Sequence, residues 1–455
     1  MNTRETLDLL REYESRNVLF TEPDGSWPIV WERAKGVQVW DADGKKYLDL
    51  TAAFGVAAAG HANPRVVKAG QEQMEKLAHA MGDVHPHARK AELARELSKV
   101  TFERWSSELG IETRNPKLEN QNSKLQTGKT IFCNSGFEAV EAALKTAMLT
   151  AGKYGVIAFH GGYHGLGYGT LNVTHRDFFR SQFRLQLKEF GHFVQFPTKA
   201  SDLPVVETLM RRHFQRGWVG AVLVEPIQAR GGINVPPPEF LPLLRRLCDE
   251  HKALLVVDEI FTGFGRTGKW FACEHSKVVP DVICLGKALT GGFPLAACVG
   301  RADVMDAAWP TSRGEAIHTS TFLGNPVGCA MALAQMNEIA ENKLPDRAAK
   351  LGEFLVGELS ALHPTPAASA ASSPQSTVTA RGLGLMAGLD LRLPNGAPDG
   401  ARAMRVIKAV LHKGFILLPE GEHGNVISFT PPLTITKAQL AETLTALAKI
   451  LNETV

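Results

Sequence analysis

Residues 253–300 read ALLVVDEIFTGFGRTGKWFACEHSKVVPDVICLGKALTGGFPLAACVG, a stretch with three short apolar runs, ALLVVDE, DVICLG and LAACVG. Glycine turns and polar segments separate these runs. Three further runs of the same kind lie upstream: GKTIFC (128–133), YGVIAF (154–159) and AVLVEP (221–226). Apolar runs of this length that alternate with helical stretches are typical of a mostly parallel sheet covered by helices on both faces. We therefore predict an α/β fold.

The flanking regions carry the patterns of other elements. Residues 28–55 alternate apolar and polar side chains around two turns, which predicts a small antiparallel meander. The turn HANP (61–64) begins a predicted helix with helical spacing over 66–81. A long helix is predicted over about 326–361, before a last set of strands. Two polar or low-complexity stretches are predicted to be surface loops: 112–129 and 363–377.

The composition favours an α/β enzyme of more than one domain. A chain of 455 residues exceeds the roughly 250–300 at which one hydrophobic core stops growing. Its 50 basic and 47 acidic side chains give a formal charge of +3, which argues against a nucleic-acid or membrane surface. The sequence has no apolar run near about 18 residues and no apolar signal core at its N-terminus, so we expect a cytoplasmic protein. Its six widely spaced cysteines are predicted to be reduced and buried.

A strand that runs directly into a helix is the first candidate binding feature. In IFCNSGFEAVEAALKTAM (131–148), Ser135 and Gly136 stand between the two elements. Free backbone N–H groups at such a helix start can bind a phosphate dianion. The alternative is an ordinary turn with Ser135 as the helix N-cap, and this stretch taken alone favours that alternative.

A glycine-rich loop follows the next apolar run. In AFHGGYHGLGYGT (158–170), Tyr163 could stack on a planar cofactor, with ordinary packing as the alternative. His160 and His164 have the spacing of a zinc pair, but the glycines between them argue against a helix and no third ligand is evident. We therefore expect no metal. A GxGxxG spacing at 263–268 has no convincing helix after it and is interpreted as accidental.

Two ionisable residues end apolar strands. Asp258 closes LLVVD, where a carboxylate is costly to bury unless a cation faces it; a helix cap or a local salt bridge is the alternative. Lys287 follows DVICLG, and burial would lower the pKa of its ammonium group, as a Schiff-base nucleophile requires. The alternative is a lysine that reaches solvent. A lysine, an aspartate, a phosphate seat and an aromatic face together are what pyridoxal 5′-phosphate (PLP) needs, and this combination outweighs the separate alternatives.

The order of these motifs resembles the class III (ω-type) aminotransferases, which are fold-type I PLP enzymes. The stretches that carry the resemblance run through nearly the whole chain: WERAKGVQVWDADGKKYLDL (31–50), SGFEAVEAALK (135–145), VEPIQARGG (224–232), DEIFTGFGRTG (258–268), GKALTGGFPL (286–295), TSTFLGNP (319–326), ARGLGLMAG (380–388) and GNVISFTPPLTIT (424–436). The resemblance implies a large PLP-binding domain over 71–330, with a mostly parallel sheet covered by helices. It also implies a smaller α+β domain from both termini, residues 1–70 and 331–455.

The resemblance implies roles for three catalytic residues. Lys287 is the implied Schiff-base lysine, Asp258 the partner of the pyridine nitrogen, and Glu225 the active-site glutamate near the cofactor and the substrate arginine. The implied cofactor-binding residues include these first two and seven others: Ser135, Gly136, Phe137, Tyr163, His164, Ile260 and Thr321.

Five of these residues have implied contacts with the cofactor. Gly136 and Phe137 hold the phosphate through backbone amides, while Tyr163 and Ile260 contact the two faces of the ring. Thr321 reaches the phosphate of the neighbouring subunit. A homodimer with shared active sites is therefore implied.

Departures from the family pattern bear on the substrate. Members that bind α-amino acids and 2-oxoglutarate commonly carry an arginine where this chain has Ser428, and others carry one where it has Leu166. Phe261 stands where a glutamine is common, and Phe137 replaces a small residue. A lost bidentate arginine would cost about 2–5 kcal/mol of carboxylate binding. Three arginines are possible substitutes, although each is interpreted as a solvated surface residue: Arg176, Arg180 and Arg230.

We therefore predict a PLP-dependent aminotransferase that moves an amino group from an amine or ω-amino donor to an oxo acid, with pyruvate favoured, by a ping-pong mechanism. Apolar surroundings would suit a donor with a hydrophobic body, if these side chains line the site: Phe261, Leu166, Phe178 and Phe179. An aminomutase or an amino-acid racemase of the same fold is the alternative, and neither would need an oxo-acid co-substrate. A catalytically silent binding protein is disfavoured because Lys287 and Asp258 are both present.

Overall fold

The computed structural model describes residues 1–22, 24–109, 126–362 and 377–454. The strands of this part of the chain are β1 (Trp31–Lys35), β2 (Gln38–Asp41), β3 (Lys46–Asp49), β4 (Gly128–Cys133), β5 (Gly155–Phe159), β6 (Gly191–Val194), β7 (Val219–Val224), β8 (Leu254–Asp258), β9 (Val282–Leu285), β10 (Ala296–Arg301), β11 (Thr377–Gly382), β12 (Ala387–Arg392), β13 (Phe415–Ile416), β14 (Leu418–Glu420) and β15 (Val426–Phe429). They form three sheets, of seven, four and four strands.

Helices surround these sheets. Their bounds are α1 (Thr3–Tyr13), α2 (Ala52–Gly55), α3 (Pro64–Lys76), α4 (Ala88–Ser98), α5 (Arg104–Leu109), α6 (Gly136–Ala151), α7 (Tyr168–Leu171), α8 (Asp177–Arg180), α9 (Leu203–Gln215), α10 (Phe240–His251), α11 (Ala302–Ala308), α12 (Pro326–Glu341), α13 (Leu344–Ala361), α14 (Gly400–His412) and α15 (Lys437–Glu453). A π-helical turn, Lys99–Glu103, joins α4 to α5.

The seven-stranded sheet confirms the predicted α/β core. Its strand order is β4-β10-β9-β8-β7-β5-β6, and all neighbours from β9 to β6 pair in parallel. Only β10 runs antiparallel, to both of its neighbours. All six predicted apolar runs are strands of this sheet. None of the predicted runs corresponds to β6, because GHFV is short and mostly half-buried and so lacks a continuous apolar run.

The sheet is buried on both faces, as parallel sheets usually are. On one face the apolar stripe of α6, including Val140, Ala143 and Ala147, packs in one cluster with strand residues such as Val256. On the other face a larger cluster joins the sheet to α10 and to the C-terminal elements. Helix α6 follows β4 directly, so its first turn lies next to the carboxyl ends of the parallel strands.

The two smaller sheets involve the terminal regions. Strands β1, β2 and β3 form the predicted antiparallel meander, and β13 adds to β3 in parallel. Strands β11, β12, β15 and β14 form the third sheet, antiparallel throughout. The N-terminal strands thus share a sheet with a strand from beyond residue 400. The domain division proposed above stays a prediction.

The predicted helix over 66–81 is shorter than expected, because α3 ends at Lys76. Leu77 takes an extended backbone, and its carbonyl accepts from the Gln73 side chain at 3.2 Å. The Ala78 carbonyl accepts from Asn325 Nδ2 at 3.0 Å. These side-chain amides replace the helical hydrogen bonds that would otherwise continue the helix.

The single long helix predicted over 326–361 is wrong, since this stretch forms α12 and α13. Lys343 has a φ of 47°, in the left-handed region, and Pro345 lies in the first turn of α13. Proline lacks the N–H group that a continuous helix would need there. The proposed loop at 363–377 falls almost wholly outside the described residues, and so does most of the proposed loop at 112–129.

Burial of the cysteines is confirmed: all six are free and buried. In the described part of the chain, no helix combines the length and apolar character needed to span a bilayer.

Candidate active site

A cavity of about 380 Å³ lies at the carboxyl ends of the parallel strands, where ligands bind in open α/β sheets. The chain reaches it at the ends of β4, β5, β7, β8 and β9. Nine of the ten predicted site residues line this cavity: Ser135, Gly136, Phe137, Tyr163, His164, Glu225, Asp258, Ile260 and Lys287. These nine come from five separate stretches of sequence, so the fold brings together what the motifs suggested.

Thr321 is the tenth residue and is not among those that line the cavity. It is exposed, in a segment where Ser320 Oγ accepts from Asn134 Nδ2 at 3.3 Å. Its implied contact concerns a second copy of the chain and stays a prediction.

Lys287 lies two residues beyond the end of β9. Its backbone has a φ of 38°, a left-handed conformation that costs a non-glycine residue free energy and clusters at functional sites. Nζ lies 4.7 Å from the centroid of the Phe261 ring and makes no ion pair within the described residues. Burial lowers the pKa of Lys287, and the negative charges of Asp258 and Glu225 oppose that shift. A nucleophilic amine needs such a lowered pKa.

Asp258 is the last residue of β8 and is 5% exposed. Its Oδ2 lies 2.8 Å from Nδ1 of the buried His164, and its Oδ1 accepts from the Ile260 N–H at 3.1 Å. No sequence pattern identified His164 as the residue that faces this carboxylate. The carboxylate retains contact with the cavity despite the pair. The position of Asp258 therefore allows both its local contact with His164 and a functional role in the cavity.

The loop of His164 passes close to the start of α6. A Cβ atom on Gly165, whose φ is +103°, would lie 2.3 Å from Phe137 Cβ. Only glycine combines that backbone conformation with such a close approach. Gly165 thus allows the His164 loop and the helix start to form adjoining walls of the cavity.

The start of α6 has the features of a phosphate seat. Ser135 is the N-cap residue of α6, as the alternative predicted, but its buried Oγ makes no capping hydrogen bond and has no other partner within the described residues. The backbone N–H groups of Asn134 and Ser135, just before the helix, both donate to Glu138 Oε2, at 2.7 Å and 3.4 Å. Gly136 and Phe137 are the first two residues of the helix, so their N–H groups have no partner inside it. A phosphate would satisfy the Ser135 hydroxyl and both amides, so these residues fit the phosphate of PLP.

Tyr163 and Glu225 are joined through the backbone. Glu225 Oε1 accepts from the Tyr163 N–H at 2.9 Å, and Oε2 accepts from the Ala229 N–H at 3.1 Å. Burial raises the pKa of Glu225 to about 7. Neither oxygen forms an ion pair with an arginine of the described residues. Glu225 is thus held by amides where the family resemblance implies a nearby substrate arginine.

The structure corrects the interpretation of two of the three candidate arginines. Arg230 lines the cavity, so its assignment as a solvated surface arginine is wrong. Arg180 is also not a surface residue, since it is 8% exposed and packs its guanidinium carbon 4.9 Å from the centroid of Phe193. Arg176 is half-buried and donates a hydrogen bond to the carbonyl of Arg230.

The departures from the family pattern fall partly at the site. Leu166 and Phe261 line the cavity, whereas Phe178 and Phe179 do not. Ser428 is buried, and its Oγ donates to the Leu418 carbonyl at 3.0 Å.

Sequence reasoning missed Glu420 altogether. This carboxylate is 5% exposed, and its Oε2 lies 3.6 Å from Arg230 Nε. The available signal was weak: an acidic residue directly after the apolar run FILLP, 190 residues beyond Arg230.

The two histidines of the glycine-rich loop and the GxGxxG spacing show no sign of a metal or dinucleotide site within the described residues. The ring of His160 stacks on His175 at 4.5 Å between centroids, while His164 pairs with Asp258. Within the described ranges, no group of three or more His, Cys, Asp or Glu residues is arranged to hold a metal. Residues 263–268 form turns and lead into a short 3₁₀ helix, Ala272–Ser276, which agrees with an accidental GxGxxG match.

Comparisons with known proteins place this geometry in a family. The model of the family "Aminotransferase class-III" matches residues 20–451. The acetylornithine aminotransferase of Methanosarcina mazei is 35% identical over 434 residues, which cover 95% of this chain and 94% of the relative. The putrescine aminotransferase of Pectobacterium atrosepticum is 34% identical, with 99% of this chain and 89% of the relative covered.

A solved structure agrees with the fold. The ornithine aminotransferase of Toxoplasma gondii, in a structure with partial occupancy of PLP at its active site, has a TM-score of 0.79 and 27% identity. The match covers 99% of this chain and 94% of that chain. The family match, the two relatives and the common fold all span nearly the full length of the protein. The chain therefore belongs to the class III aminotransferases and is a PLP-dependent aminotransferase of fold type I.

Proposed function

We propose that this aminotransferase moves the amino group of a primary amine or ω-amino compound to a monocarboxylic 2-oxo acid, with pyruvate favoured. The observation that carries the proposal is the single cavity that contains Lys287, Asp258 and the phosphate seat at Ser135. When bound there, PLP supplies a ring that withdraws electrons from the substrate carbon. The residues of the chain do the remaining work.

Lys287 is the proposed nucleophile and proton carrier. Its lowered pKa favours the neutral amine, which can bond to a carbonyl carbon. As a neutral amine, Lys287 Nζ would also be able to accept the proton that leaves the substrate carbon. The left-handed backbone at Lys287 holds its side chain at the end of β9, where it opens to the cavity.

Asp258 and the start of α6 position the cofactor in this proposal. The Asp258 carboxylate would keep a proton on the pyridine nitrogen of the bound cofactor, and His164 with the Ile260 amide holds that carboxylate in place. Ser135, Gly136 and Phe137 hold the phosphate. Tyr163 and Ile260 line the same cavity and are proposed to contact the two ring faces.

The choice of substrates rests on the composition of the cavity wall. Arg230 is the only arginine among the residues that line the cavity in the described part of the chain. One guanidinium suits one carboxylate, whereas 2-oxoglutarate carries two. Phe137, Leu166 and Phe261 add apolar surface that suits a hydrophobic donor. The relatives named for acetylornithine and putrescine act on compounds with a primary amine at the end of a chain, which supports an ω-amino donor.

A panel of amines tested against pyruvate and 2-oxoglutarate addresses this proposal. We expect turnover that requires an oxo acid, with higher kcat/KM for pyruvate. Equal or better use of 2-oxoglutarate would refute the proposed acceptor. Turnover of an amino acid without any oxo acid would favour the alternative, an aminomutase or racemase.

We also propose a homodimer in which Thr321 reaches the neighbouring active site. Thr321 is exposed, and so are large apolar side chains near it in sequence or space, such as Phe322 at 56% and Met81 at 53% exposure. Sedimentation of the purified protein tests the dimer, and weaker cofactor retention in Thr321→Ala tests the shared site. The cytoplasmic location stays a prediction from the sequence.

A further inference from the structure

The backbone of Arg230 is held from two sides. The Gly421 N–H donates to the Arg230 carbonyl at 3.2 Å, and the Arg176 guanidinium donates to the same oxygen. One N–H group of Arg176 is thereby used in a structural contact. The guanidinium of Arg230 remains available, on a backbone whose position is well defined.

The guanidinium of Arg230 points into the active-site cavity. Its central carbon lies 5.3 Å from the centroid of the Tyr163 ring, and Arg230 shares the cavity wall with Lys287. Arg230 Nε is buried and has no hydrogen-bond partner in the described residues. Its nearest carboxylate oxygen, Glu420 Oε2, lies at 3.6 Å, which is within ion-pair range but too long for a good hydrogen bond. The donors of Arg230 are therefore incompletely used.

Glu420 supplies a carboxylate on the same side of the third sheet as Ser428. In the β14–β15 pairing, Leu418 lies opposite Ser428 and Glu420 lies opposite Val426. Opposed residues share a face, and so do residues two apart on a strand, so all four side chains project to one side. The serine hydroxyl is already bonded to the Leu418 carbonyl. Ser428 carries no charge. The positive charge that faces Glu420 belongs to Arg230, which lies on a different segment of the chain.

We infer that Arg230 binds the carboxylate of the oxo-acid substrate, and that Glu420 is its counter-ion when no substrate is present. This inference rests on the proposed function, because it assigns the carboxylate site of that reaction. A guanidinium binds a carboxylate through two parallel hydrogen bonds. The Glu420 pair is longer than such an arrangement requires, so an incoming carboxylate can make better contacts with Arg230 than Glu420 does. Glu420 thus balances the charge of Arg230 in the free site and competes with the substrate carboxylate for it.

The test compares pyruvate with acetaldehyde, which is pyruvate with its carboxylate replaced by hydrogen. The holoenzyme is first converted to its amino form with a plain amine, and each acceptor is then mixed with it while cofactor absorbance is followed. For Arg230→Gln we expect kcat/KM for pyruvate to fall about 30-fold, equivalent to about 2 kcal/mol at 1.36 kcal/mol per tenfold. The value for acetaldehyde should change by less than about threefold.

Two further variants sharpen the result. Glu420→Gln removes the competing carboxylate, so KM for pyruvate should fall by about threefold or more, opposite in direction to Arg230→Gln. Arg184→Gln is the matched control: this arginine is 54% exposed, pairs with Asp177 and does not line the cavity, so both acceptors should react as in the wild type. Propionate has the carboxylate of pyruvate but no ketone group, so it can bind without reacting. Its inhibition constant should rise in Arg230→Gln.

Several outcomes would overturn the inference. An equal loss with both acceptors would mean that Arg230 is structural, and an unchanged rate with pyruvate would exclude it from carboxylate binding. A pyruvate-selective loss in Arg176→Gln but not in Arg230→Gln would assign the site to Arg176. If the wild-type amino form reacts with neither acceptor, the proposed function itself fails, which is a different result from any of these.

Discussion

The unpartnered hydroxyl of Ser135 leads to a prediction that separates two roles. A buried hydroxyl without a partner costs a folded protein about 1–3 kcal/mol, whereas a hydrogen bond from it to a phosphate is worth about 1.5–3 kcal/mol. Ser135→Ala should therefore leave the free energy of unfolding of the apoprotein unchanged or raise it by about 1 kcal/mol. The same variant should weaken binding of a phosphate-bearing ligand by about 2 kcal/mol, which is about 30-fold in Kd.

Pyridoxamine 5′-phosphate is the suitable ligand for this assay. It has no aldehyde, so it forms no covalent bond with Lys287, and its Kd reports only the contacts with the phosphate and the ring. The Kd is measured by isothermal titration calorimetry on the apoprotein. Urea denaturation of the same apoprotein gives the stability.

Ser428→Ala is the matched control. Ser428 is also a buried serine, but its hydroxyl has a partner, the Leu418 carbonyl at 3.0 Å, and it does not line the cavity. Its loss should lower stability by about 1 kcal/mol and leave the Kd unchanged. A loss of apoprotein stability of that size in Ser135→Ala, with an unchanged Kd, would refute the phosphate contact, because the Ser135 hydroxyl would then only stabilise the start of α6.

Four more predictions concern the chemistry of the site. Borohydride reduction of the holoenzyme and peptide mapping should place the pyridoxyl group on Lys287; a label on another lysine contradicts the assignment. Asp258→Asn should retain PLP but lose at least tenfold in kcat, since one pKa unit at the pyridine nitrogen is about 1.4 kcal/mol; near wild-type kcat would leave Asp258 a structural role only. The Tm of Glu225→Gln minus the Tm of the wild type should increase as the pH rises from about 5 to about 8. The Glu225 pKa of about 7 exceeds its usual 4.5, so the wild type loses stability as this buried group ionises, and a pH-independent difference would exclude that shift. Ser428→Arg should raise kcat/KM for 2-oxoglutarate relative to pyruvate, because a second guanidinium would share a sheet face with Glu420; an unchanged ratio would argue against that pocket geometry.

Local patterns were sufficient for the parallel core and for the chemistry at its edge. An apolar run of five or six residues has few stable positions other than a buried strand, and the parallel strands of such a sheet bring their carboxyl ends to one edge. Asp258, Lys287 and Ser135 each follow such a run, so their approximate meeting place follows from the strand pattern alone. The short, half-buried strand β6 and the break between α12 and α13 depend on weaker local signals, and the sequence analysis missed both.

The fold class, the cofactor and nine residues that line the cavity could be predicted from the amino-acid sequence, because these depend on short-range patterns and on motifs in a particular order. The pairing of side chains across the site depends instead on the folded structure. His164 meets Asp258 from 94 residues away, and Arg230 meets Glu420 from 190 residues away. Such pairs depend on strand register, loop path and the packing of separate sheets, and a change of register by one residue would turn Glu420 to the other face. No local pattern encodes that choice, so the pairing of Arg230 with Glu420 became visible only in three dimensions.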